Sequence, residues 1–181
     1  MHPSSSARHL TTVSVLAAAG IALFVLESFI PMPLPFLKVG LANVSTLVTL
    51  AGFSFADALL VVALRVVVGS LLVGTFMGPA FVIALSAGMC SAAAMALSWR
   101  FTGKMFSPVG ISLIGSTTHV VTQLVVVRGL YVHSIALSYL LPFLLLSALL
   151  GGLVVGLISS RLITALRTTG TFSQSGHNTP R

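Results

Sequence analysis

Polar residues are sparse along this chain, and they fall at intervals that divide it into long apolar runs. The runs extend from about Leu10 to Phe29, Lys38 to Gly52, Phe55 to Phe76, Ala80 to Trp99, Pro108 to Val127 and Ile135 to Leu166. An apolar segment of about 18 residues or more reads as a membrane helix. The pattern predicts an all-α, polytopic membrane protein with about six transmembrane helices over residues 10–167. The second run, at roughly 15 residues, is short for a full span, so it starts below the interface or thins the bilayer. The sixth is long enough to tilt, to bend at Pro142 or to project beyond the bilayer. Residues 1–9 form a short tail, and residues 168–181 form a polar tail rich in Ser and Thr that is expected to be disordered.

One stretch breaks the pattern. Glu27 to Asn43 reads E-S-F-I-P-M-P-L-P-F-L-K-V-G-L-A-N, with Pro31, Pro33 and Pro35 at alternate positions. Such a run cannot continue a helix and favours extended geometry. At membrane depth a break of this kind is tolerated only where protein or a water-filled cavity covers it. The stretch is therefore expected to form the rim of a site.

Composition sharpens the membrane reading. The chain is 56% hydrophobic and 6% charged. Its formal charge of +7 comes from nine basic residues against Glu27 and Asp57, and the basic residues sit singly at the ends of apolar runs. That is membrane-flank patterning and not a nucleic-acid-binding surface. Cys90 is the single cysteine, so neither an internal disulfide nor a cysteine metal site is available, and nothing in the sequence implies a metal or cofactor. Arg8 and His9 followed by Leu10–Leu26 resemble a signal peptide with Ala17–Ala19 as its cleavage site. The apolar run continues well past that point, which favours an uncleaved first helix.

Six helices put both termini on one side. With the termini inside, Arg8, Arg100, Lys104, Arg161, Arg167 and Arg181 flank the inner face, and Lys38 and Arg128 the outer face, which makes both termini cytoplasmic and the location the cell membrane. Small residues at four-residue spacing mark expected helix contacts: Ala18 and Ala22, Gly74 and Gly78 after Ser70, Ala84 and Gly88, and Gly152 and Gly156 between Ala148 and Ser160.

The unusual polar residues converge on the outer half of this topology. Glu27 ends the first helix, Lys38 and Asn43 open the second, and His119, Gln123 and Arg128 occupy the outer half of the fifth. Ser112, Ser116, His119 and Gln123 share one helical face, which must point at other helices or a cavity. The two serines fit interhelical hydrogen bonding, whereas His119 and Gln123, nearer the rim, suit a ligand. Arg65 sits mid-helix, where insertion costs at least about 2.5–3.5 kcal/mol and a partner or water cavity is needed. Asp57 lies about 12 Å away along the same helix, too far to pair. Two readings of Arg65 stay open: a buried bridge to Glu27, or contact with an anionic substrate group. The candidate substrate-binding set is thus Glu27, Lys38, Asn43, Arg65, His119, Gln123 and Arg128. His2, His9 and His177 fall in the tails.

Three motifs carry a resemblance: the stretch 27–43, Ala56-Asp57-Ala58-Leu59 followed by Arg65, and F-S-P-V-G-I-S-L-I-G-S-T-T-H-V-V-T-Q at 106–123. Together they resemble the Gx transporter family, also called heptaprenyl diphosphate synthase component I, over nearly the whole chain. Where relatives often carry His-Asn, this chain has His119-Val120. The family is similar to the substrate-binding subunits of energy-coupling-factor transporters, six-helix proteins that bind a vitamin-like ligand near the outer face. That resemblance implies that Ala18 and Ala22 meet a coupling membrane subunit with its ATPases. The synthase name implies a soluble prenyl synthase as partner. Prenyl diphosphate synthases hold magnesium on aspartate-rich motifs, and magnesium requires carboxylate oxygens near the phosphates. A chain with one Asp and one Glu cannot carry that reaction alone. Three functions follow: a substrate-binding or transport protein lacking its own ATPase, for a small anionic or isoprenoid- or vitamin-like ligand; a non-catalytic membrane component of isoprenoid synthesis; or a structural membrane subunit.

Overall fold

The computed structural model describes residues 5–30, 40–102, 106–131 and 139–169. Lys38, the three alternating prolines, the beginning of the sixth apolar run and most of the C-terminal tail lie outside the described residues. The described residues form six helices: α1 (Ser5–Ser28), α2 (Asn43–Gly52), α3 (Phe55–Val73), α4 (Pro79–Thr102), α5 (Pro108–Leu130) and α6 (Leu141–Thr168). All but α2 are long and apolar enough to cross a membrane. The protein is an all-α polytopic membrane bundle.

With 10 residues, α2 covers about 15 Å, half of a hydrocarbon core about 30 Å thick. It starts at Asn43 and not at Lys38 because Gly40 turns the chain first. Gly40 has φ +83°, and the Asn43 N–H donates to the Gly40 carbonyl at 2.8 Å, closing a turn before the first helical residue. Every residue from Asn43 to Leu50 is buried. The five long helices pair in the order α1, α3, α4, α5, α6, and α2 touches all five. The core is therefore arranged around a half-length helix enclosed by full-length ones.

Side-chain contacts give the helix directions. Val13 packs with Val61 and Phe24 lies over Gly69, so α1 and α3 run parallel. Gly88 faces Val62, and Ala84 packs with Val66, so α4 runs antiparallel to α3. The Ser91 hydroxyl donates to the Gly115 carbonyl at 2.8 Å across the α4–α5 contact. Gly156 faces Val109 and Gly152 faces Ser116, an antiparallel α5–α6 pair.

The N-terminal ends of α1 and α3 are tied together. His9, expected in a tail, lies within α1, which starts at Ser5; its Nε2 is 3.2 Å from Asp57 Oδ2, and its ring stands edge-on to Phe53 at 5.0 Å. Asp57 also accepts the Ser54 N–H at 3.0 Å while Ser54 Oγ accepts the Asp57 N–H at 3.1 Å, a reciprocal cap on α3.

The small-residue positions divide. A side chain at Gly156 would come within 2.7 Å of Val109 Cα, backbone that cannot retreat without parting the helices. Among the described residues, Gly74 and Gly78 do not join helices, contrary to expectation. α3 ends at Val73, and Gly74 is its cap at φ +76°, with no described residue within 4 Å of a would-be Cβ. Among the described residues, a Cβ on Gly78 would meet Thr75 of its own turn. The close contact on α3 is made instead by Gly69, under the Phe24 ring. Ala18 and Ala22 are exposed on the face of α1 turned away from the core.

Substitution should separate these classes. Gly156→Leu is expected to destabilise the bundle by about 3 kcal/mol or more through overpacking. Gly74→Ala should cost about 1 kcal/mol, from the left-handed backbone alone. Unfolding of the detergent-solubilised protein under increasing denaturant reads both.

Candidate functional site

The turn at Phe53-Ser54 folds α2 back along α3, and the helix pitch does the rest. Asn43 and Arg65 stand at nearly equal steps on either side of that turn, so the same rise per residue brings them level. The Arg65 Nη2 donates to Asn43 Oδ1 at 2.6 Å, with both residues buried. Arg65 is 3% exposed. Glycines admit it to this position: ideal Cβ atoms on Gly20 and Gly88 would lie 3.6 Å from its Cβ and Nη2, respectively. α1 and α4 thus approach the arginine as closely as its own helix permits.

Asn43, and not Glu27, is the direct partner of the guanidinium. Arg65 makes no ion pair within 4.0 Å among the described residues, and its Nε and Nη1 have no hydrogen-bond partner. Glu27 acts on it through space. The Glu27 carboxylate is also buried, and its Oε1 accepts a short hydrogen bond from the Leu41 N–H, immediately before α2. Leu41 immediately precedes Ala42, the N-cap residue, which offers no side-chain acceptor of its own. A carboxylate from α1 thus serves the start of α2, where the helix dipole favours negative charge.

α5 supplies the opposite wall. Its four polar residues on one face are all buried, as a stripe on a membrane helix must be. Ser112 Oγ donates to the Gly152 carbonyl of α6 at 2.8 Å, and Ser116 Oγ to the Ser112 carbonyl at 2.9 Å. These two serve packing. One and two turns further on, His119 and Gln123 face the arginine side, with Gln123 Nε2 3.2 Å from His119 Nε2.

Glu27, Asn43, Arg65, His119 and Gln123 line one cavity, together with Phe24, Gly40, Ala42, Val66 and Ala84. Its volume is about 20 Å³, room for a water molecule and no more. It lies in the half of the bundle far from the α1 N-terminus. Five charged, amide or imidazole side chains thus line it together with five apolar or glycine residues. Such a cavity can bind and orient a small polar group. It has no pair of carboxylates for acid–base work, and Asp57 is committed to the far end of α3.

Of the expected set, Lys38 lies outside the described residues. Arg128 does not join the cavity; it is exposed at the end of α5. It follows Gln123 by five residues, about 140° further round the helix, so it leaves the buried face. The apolar wall was invisible to a search for polar residues, and so was the Leu41 N–H. Phe24, one turn before Glu27 on the same face of α1, was the available signal.

These features define an integral membrane protein with an arginine-centred polar cavity inside its helix bundle. The chain belongs to the heptaprenyl diphosphate synthase component I family, whose family model matches residues 16–162, from α1 to α6. No curated protein and no solved structure matches it.

Asn43→Leu keeps the side-chain bulk and removes the acceptor. It is expected to destabilise the protein by about 1.5–3 kcal/mol, the cost of losing a hydrogen bond to a charged group. Thermal unfolding in detergent reads the loss.

Proposed function

We propose that this protein is a membrane substrate-binding or transport subunit, without an ATPase of its own, for a small anionic ligand of isoprenoid- or vitamin-like character. The observation that carries the reading is Arg65: a guanidinium 3% exposed, bonded through one nitrogen to Asn43 and open at Nε and Nη1, beside a cavity. An arginine in a membrane helix is expensive and characteristically faces a substrate path or a partner. Asn43, Glu27, His119 and Gln123 provide further contacts, and Lys38 would add a cation two positions before Gly40 in the sequence. A water-sized cavity means that a ligand enters by parting its walls, as alternating states of a binding subunit require.

The distribution of charge supports a cytoplasmic location for both chain termini. The helix directions bring Arg8, Arg100, Arg161 and Arg167 to one end and Arg128 to the other. The exposed face of α1 with Ala18 and Ala22 suits a helix of a coupling membrane subunit, since small residues allow close approach.

The family name favours a second reading, a non-catalytic membrane component beside a soluble prenyl synthase. In that case the synthase would bring the magnesium-binding carboxylates.

Purification in mild detergent, with mass spectrometry of bound small molecules and proteins, separates the two. The binding reading expects a small molecule retained by the wild type, lost in Arg65→Ala and reduced less in Lys38→Ala, together with ATPases and a coupling subunit. A stoichiometric prenyl synthase with no retained small molecule would overturn it.

A further inference from the structure

The cavity contains its own anion at the place where a ligand's anion would be best stabilised. Two cationic features point at this space: the guanidinium of Arg65 and the N-terminus of α2. α2 carries no side-chain cap of its own, and Gly40, at φ +83°, sets the backbone just ahead of the Leu41 N–H. The Glu27 carboxylate takes that N–H, yet it makes no ion pair with Arg65 within 4.0 Å. The guanidinium therefore keeps Nε and Nη1 unbonded in a 97% buried setting, with Glu27 compensating its charge only at a distance.

We infer that Glu27 is an exchangeable counter-ion: in the closed cavity it holds the anion position at the start of α2, and a small oxyanion headgroup, carboxylate or phosphate, binds by displacing it. This rests on the ligand-binding reading of the cavity. The headgroup would take the Leu41 N–H and the open edge of Arg65 together, which Glu27, fixed to α1, does not do. Both negative charges cannot share so small a space, because like charges at close quarters repel strongly in a low-dielectric site. Binding therefore unfastens the end of α1 from the start of α2. The hydrogen bond that closes the cavity is the one the ligand replaces, which links occupancy to opening. Phe24, one turn before Glu27 on α1 and seated on Gly69, would move with the same helix end and widen the apolar wall.

The test is equilibrium binding of radiolabelled acetate and of inorganic phosphate to the purified full-length protein in detergent, with gel filtration to verify folding. Glu27→Gln removes the internal competitor and should bind at least one of the two anions about tenfold or more tightly than wild type. Glu27→Asp keeps the charge but withdraws it by one methylene, and should fall between them. It carries the test if Glu27→Gln does not fold. Adding Arg65→Gln to either variant should abolish the gain. Preference for acetate or for phosphate identifies the headgroup. Equal affinity in wild type and the folded Glu27 variants would overturn the exchange, as would a gain that survives Arg65→Gln. If a co-purifying ligand still depended on Arg65 in that case, the cavity would remain a binding site with Glu27 as a fixed wall.

Discussion

A guanidinium enclosed in an apolar bundle must be given a partner, and in this protein that requirement organises the core. Arg65 finds its acceptor on Asn43, which opens a helix too short to cross the bilayer. A full-length second helix would place an N-terminus at the membrane surface. A half-length one places it beside the arginine, with its dipole and first N–H groups directed into the interior. The five long helices then all pack against α2, and Glu27 of α1 accepts the Leu41 N–H just ahead of it.

The remaining buried polar groups fall into two kinds. Ser91, Ser112 and Ser116 donate to backbone carbonyls and serve as links between or along helices. They need no ligand to account for them. Arg65 differs, because its Nε and Nη1 have no hydrogen-bond partner among the described residues. Packing polarity is distributed along the α4–α5–α6 contacts, whereas site polarity is concentrated where α1, α2, α3 and α5 meet. The membrane bundle and the family membership fit either a ligand-binding subunit or the membrane half of a synthase. The chain's two carboxylates occupy opposite ends of the bundle, one at the start of α2 and one capping α3.

Much of this was legible along the chain because membrane physics writes itself locally. Apolar length predicts spanning helices, and polar residues within them must face inward, so the α5 stripe and the cost of Arg65 could be read directly. Helix ends were less legible. Gly40 delays the start of α2 by turning the backbone, and Gly74 stops α3 at Val73, three residues before Phe76, by adopting a left-handed cap. His9 looked like tail, and its role depends on α1 running beside α3.

The sequence alone determined the class, the number of helices and most of the polar residues around the cavity, because burial in lipid constrains each residue independently of its neighbours. Tertiary structure decided the pairings. Whether Arg65 bonded Glu27 or Asn43 depended on where a half-length helix begins and on how closely Gly20 and Gly88 let α1 and α4 approach. Whether Arg128 joined His119 and Gln123 depended on about 140° of helical rotation. Glu27 met the start of α2 only when the fold brought the end of one helix to the beginning of the next, since its partner is a backbone N–H that no residue pattern reveals.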